Sequence, residues 1–122
     1  GRGMALALPA ELNSHPGPMH ALEHADALRL TPAQRAELQR QMADVRARAA
    51  ALGERVIEAE RALDRLFAER RATPDRVREL SLAAGAARGE LRAAHLVTHL
   101  ETVATLTPEQ VALYDRLRGY RR

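Results

Sequence analysis

Apolar residues recur at helical spacing along two long stretches. Leu38, Met42, Val45, Ala49, Leu52, Val56, Ala59, Leu63 and Leu66 follow one another in steps of four and three. That alternation is a sustained heptad, one apolar stripe on a long helix packed against another helix. It predicts a helix from about Pro32 to Arg71, on the order of 60 Å long. A second stripe, Val77, Leu80, Ala84, Ala87, Leu91, Ala94 and Thr98, predicts a helix from about Pro74 to Ala104. Only Arg71-Ala72-Thr73 separates the two, so they are expected as antiparallel neighbours.

Start signals divide the rest. Thr-Pro stands at Thr31-Pro32, Thr73-Pro74 and Thr107-Pro108. The Thr hydroxyl can take an orphan backbone N–H, and Pro suits a first helical position that needs no N–H partner. Gln34 and Gln110 complete a capping box at the first and last of these. Shorter helices are predicted at about Pro18–Leu28 and Pro108–Leu117, the latter carrying Val111, Leu113, Tyr114 and Leu117. Residues 1–17 keep no sustained period and read as a flexible or loosely docked arm. Gly53 lies off the stripe and is expected to mark a bend or a close contact. Small residues from Ala83 to Gly89 are expected to permit close helix approach. The reading is all-α: a long antiparallel helical hairpin with short N-terminal and C-terminal helices, a four-helix hook forming one domain over 18–122. The first helix folds back at the hairpin's open end, because it enters the second through Arg29-Leu30.

Composition narrows the partners. Apolar residues make up 46% of the chain but aromatic residues only 2%, which suits thin helix-on-helix layers. Such a hairpin leaves an apolar face bare, so an intertwined homodimer is expected. Cys is absent, which excludes disulfides and thiolate metal sites. The net charge of +3 is spread among acidic residues, unlike a nucleic-acid footprint. No apolar run reaches membrane-spanning length.

Candidate chemistry rests on histidine. His20 and His24 stand four apart on the first helix, and His95 and His99 four apart on the third. Such a pair puts two imidazoles on one helix face, a common way to present nitrogen to a metal, though a lone pair is commonly a solvated face. Folding the first helix back at the open end would bring both pairs close. Glu23 and Met42 are possible additional ligands, with core packing the ordinary role for Met42. The donor set suits Ni, Co, Cu or Zn. No cysteine nucleophile, Gly-rich phosphate loop or Ser elbow is present, so an enzyme is not expected.

Leu30-Thr31-Pro32-Ala33-Gln34 and Leu106-Thr107-Pro108-Glu109-Gln110 resemble the paired LTxxQ motifs of the Spy/CpxP/ZraP group. The stretch from Leu91 to Leu117 resembles more closely the metal-sensor branch typified by CnrX, whose first-helix H-x-x-x-H pair His20 and His24 match. On the third helix, Thr98 and Thr102 stand at that branch's ligand positions, with His95 and His99 displaced from them, and Gln41 or Met42 falls opposite a second-helix Glu ligand. The resemblance implies a periplasmic homodimer of helical hooks, often with a membrane anchor upstream. It implies a metal-sensing or metal-resistance function, with binding relayed to a membrane-bound anti-sigma factor. The alternative it implies is a Spy-like, ATP-independent chaperone.

Overall fold

A computed structural model describes residues 8–119. Among them every regular element is a helix: α1 (Leu8–Leu12), α2 (Pro18–Glu23), α3 (Pro32–Ala68), α4 (Pro74–Thr105) and α5 (Pro108–Arg118). The long helices α3 and α4 pack as a hairpin. The part of the expected arm before residue 8, and residues 120–122, lie outside the described residues. Helix α1 and the buried Pro16 and Gly17 fall within the stretch read as the arm.

All three Thr-Pro starts form as their chemistry predicts. The hydroxyls of Thr31, Thr73 and Thr107 accept from the backbone N–H of Gln34, Arg76 and Gln110. The helix ends differ from expectation. Helix α2 stops at Glu23 rather than Leu28, and α3 at Ala68 rather than Arg71. Left-handed Arg70, at φ 57°, closes α3, whereas α2 is capped by His24 at φ −104° and gives way to turns that run on to left-handed Arg29, at φ 53°. The Leu30 N–H then reaches back to the Ala25 carbonyl, and the Arg71 N–H to the Leu66 carbonyl. This is the Schellman closure, usually signalled by Gly.

The described chain gathers into two compact units, one of residues up to Arg46 with those from Ala94 onward, the other Ala47–Ala93. In the first, Ala21, Ala25, Leu28, Leu30, Leu38, Leu106 and Tyr114 form one buried cluster, with Leu22, Val111 and Leu113 packed against it. Each large side chain so buried contributes roughly 1.5–3 kcal/mol.

The two LTxxQ glutamines interlock within this unit. Gln34 Oε1 accepts from the Thr31 N–H, and Gln110 Oε1 from the Thr107 N–H. The two side chains also face each other, 2.8 Å from Gln34 Nε2 to Gln110 Oε1 and 3.1 Å in the reverse sense. Gln34 Nε2 donates to the Thr105 carbonyl and Gln110 Nε2 to the Leu28 carbonyl. Each amide thus caps its own helix and holds the chain leading into the other.

In the second unit every predicted stripe position is buried or half-buried, with Leu52, Ala59, Ala84 and Ala87 innermost. Arg88–Glu60 at 2.9 Å and Arg55–Glu90 at 3.6 Å cross between the helices. Such exposed pairs are worth ~0–1 kcal/mol each. Gly53 sits inside unbroken α3, and a Cβ there would meet nothing within 4 Å, so it marks no close contact among the described residues. Gly85 and Gly89 likewise face open space, so close approach falls to Ala84 and Ala87.

Candidate metal centre

All five histidines lie in the first unit. His20 is buried on α2. Its Nδ1 lies 3.0 Å from Glu23 Oε2, one turn along the same helix, and 3.2 Å from Arg118 Nη1 at the end of α5. Its Nε2 is buried with no hydrogen-bond partner among the described residues. His24 is half-buried at the C-cap of α2. Its ring meets Tyr114 edge-on, with centroids 6.0 Å apart and planes at 83°. Arg118 lies 5.9 Å from the same tyrosine centroid. The Glu23 carboxyl is held below the usual carboxylate range, chiefly by its hydrogen bond with His20, which outweighs the opposing effect of desolvation, with the charges of His20, Arg118 and His24 adding to the lowering. His20, Glu23, His24, Tyr114 and Arg118 therefore form one polar cluster over the core.

The α4 pair has different surroundings. His99 is buried, and its Nδ1 donates to the His15 carbonyl at 2.6 Å, leaving Nε2 as the basic nitrogen. Gly17 lies against that nitrogen: a Cβ on Gly17 would come within 2.7 Å of His99 Nε2. The His15 backbone thus orients His99, while its own ring turns back to the Asn13 carbonyl. One turn away, half-buried His95 has its pKa pushed down, chiefly by burial and then by the charge of His99.

The predicted residues thus fall into two sets, one on α2 with Glu23 beside His20, and one on α4. Among the described residues no three histidines or carboxylates gather tightly enough to hold a metal ion together. Met42 is half-buried on the α3 stripe, where it packs. Two features nonetheless fit a nitrogen-ligated metal. His20 combines a carboxylate on Nδ1 with a buried, unpartnered Nε2, and His99 combines a carbonyl on Nδ1 with an acceptor Nε2. A second partner on the far nitrogen is how metal-ligating imidazoles are ordinarily oriented.

Residues with no expected metal-ligand role fill the rest. Gln41, Thr98 and Thr102 are buried. The Thr102 hydroxyl donates to Gln41 Oε1 at 2.8 Å, and Gln41 Nε2 donates to the Thr105 hydroxyl at 2.9 Å. Thr98 Oγ1 bonds back to the Ala94 carbonyl. This neutral network joins α3 to α4, and its amide and hydroxyl oxygens are poor donors for late transition metals. Arg118 carries no such signal in the sequence, because only the packing of α5 brings it to His20.

No helix among the described residues is long and apolar enough to cross a membrane. Neither the curated proteins nor the solved structures include a match to this sequence. The sequence profile described as heavy-metal resistance matches residues 3–112, nearly the whole chain, and with its paired LTxxQ starts and helical hairpin this protein belongs to the heavy-metal resistance family.

Proposed function

We propose that this chain binds a transition metal ion as part of heavy-metal resistance, with His20 and His24 as its first donors and His99, with His95 beside it, as the donors of α4. The observation that carries this reading is the buried Nε2 of His20, which has no hydrogen-bond partner while Nδ1 is engaged. A buried polar atom left unpaired costs about 1–3 kcal/mol, which a bound cation would offset. Nitrogen donors suit Ni, Co, Cu or Zn. For His99 to join, the backbone at Gly17 has to withdraw from its Nε2. Glu23 then acts behind His20 and not as a ligand. The family resemblance supports a binding protein of the periplasm that works as a homodimer and relays occupancy to a membrane-bound anti-sigma partner. Calorimetric titration of the chain with each of the four ions tests this. Saturable binding lost in the His20→Ala, His24→Ala double variant is expected, and no binding tighter than about 100 μM would end the proposal.

The chaperone reading draws on a separate observation. Phe67 and Leu82 are 62% and 65% exposed, large apolar side chains that unfolded clients could meet. It predicts suppression of client aggregation that persists in chelator and in the double histidine variant.

A further inference from the structure

His20 Nδ1 carries two contacts with opposite demands. Glu23 Oε2 stands 3.0 Å away and Arg118 Nη1 3.2 Å away. An ionised carboxylate only accepts, so the Glu23 contact needs a proton on Nδ1. A guanidinium only donates, so the Arg118 contact needs the Nδ1 lone pair. One nitrogen of a neutral imidazole cannot meet both demands at once. The two contacts therefore belong to two tautomers. With Glu23 engaged, the proton sits on Nδ1 and the buried Nε2 keeps its lone pair. With Arg118 engaged, the proton sits on Nε2, which then has no lone pair to give to a metal ion.

We propose that Glu23 and Arg118 contend for Nδ1 of His20, Glu23 being the positioning residue that readies Nε2 for a metal ion and Arg118 the residue that withholds it. This rests on the metal-binding reading above, but its first test needs no metal. The two contestants come from different places. Glu23 lies one turn from His20 on α2, so its contact is local. Arg118 ends α5, which stops at left-handed Gly119, and its guanidinium lies near the ring of fully buried Tyr114. The contest therefore links the end of α5 to the ligand nitrogen of α2. A metal ion on Nε2 selects the Glu23-engaged tautomer and releases Arg118 from the imidazole. By linkage, loosening Arg118 favours the ion.

The test uses the whole chain with ¹⁵N-labelled histidine, read by long-range ¹H–¹⁵N correlation without metal and then titrated with zinc. Arg118→Met removes the donor. It is expected to move His20 towards the Nδ1–H tautomer and to tighten zinc binding by ~5-fold or more. In Glu23→Gln the new amide can donate to Nδ1. The expected result is the Nε2–H tautomer and zinc binding weakened by about 10–100-fold. Arg118→Lys keeps a donor and is expected to restore the wild-type tautomer balance, which separates this role from loosened packing. A residue that merely held the fold together would weaken zinc binding in both variants. The same His20 tautomer in wild type, Arg118→Met and Glu23→Gln would overturn the proposal, as would Arg118→Met binding zinc no tighter than wild type. If wild type bound no zinc, the metal-binding reading would fall, while the metal-free tautomers would still decide the contest at Nδ1.

Discussion

His95 and His99 stand one turn apart on α4 yet meet different neighbours. Burial holds His95 below its ordinary value near 6.5, with the charge of His99 adding to the effect. The unfolded chain therefore takes up that proton more readily than the folded one. The His95 contribution to stability is complete above about pH 6.5 and is lost as pH falls through the lower folded value. The urea midpoint is expected to drop between pH 7 and pH 5, and His95→Gln should flatten part of that slope. Gly17 presents a steric case. Its φ of −93° suits any residue, so Gly17→Ala strains no backbone. The new Cβ would instead meet His99 at 2.7 Å. The expected cost is about 1–3 kcal/mol by denaturant titration, with loss of the His99 hydrogen bond to the His15 carbonyl visible by NMR. The histidine pairs themselves were legible, because four-residue spacing fixes a helix face. Their partners were not. Arg118 lies 98 positions from His20 and Gln41 61 from Thr102, and no local pattern announces either meeting.

At the scale of elements, helix starts and stripes could be read because both depend on residues within a turn or two of one another. Two helix ends were misplaced, that of α3 because Arg70 takes the left-handed conformation that Gly would normally advertise, and that of α2 because its helical bonding gives way at His24 to turns that reach Arg29. The LTxxQ boxes were legible one at a time, while their interlock was not, since 76 residues separate Gln34 from Gln110. Removing either amide should strand buried or half-buried carbonyls at Thr105 or Leu28, together with the facing amide. Gln34→Ala and Gln110→Ala are each expected to cost about 1–3 kcal/mol. The double variant should cost less than the sum, leaving a coupling of ~0.5–3 kcal/mol in a double-mutant cycle. Strict additivity would mean that the two amides do not sense each other.

For the whole molecule, the two compact units differ in what holds them. The unit that joins the described residues up to Arg46 with those from Ala94 onward has a buried Leu/Ala/Tyr cluster and long-range amide hydrogen bonds. The Ala47–Ala93 unit has a thin seam of Ala and Leu and exposed ion pairs. Regions with few buried apolar contacts open at lower free energy. Native-state hydrogen exchange should therefore show amides of 47–93 opening more readily than those around Leu38, Thr102 and Tyr114, and uniform protection along α3 would contradict this. The sparse aromatic content foretold a thin seam, and every stripe position lies inward. The glycines of α4 misled, because openness at a helix surface and closeness at an interface look alike in sequence.

The paired amides also decide a matter of spelling. A box that merely opens a helix accepts glutamate as readily as glutamine, since either offers an oxygen to the Thr N–H. Here the same side chain must also give a proton to a distant carbonyl, which a carboxylate at neutral pH cannot do. Rewriting Gln34 as glutamate would keep the opening turn intact and yet set an anion against the Thr105 carbonyl and Gln110 Oε1. The last letter of each motif is thus dictated by the far end of the fold and not by the helix it begins.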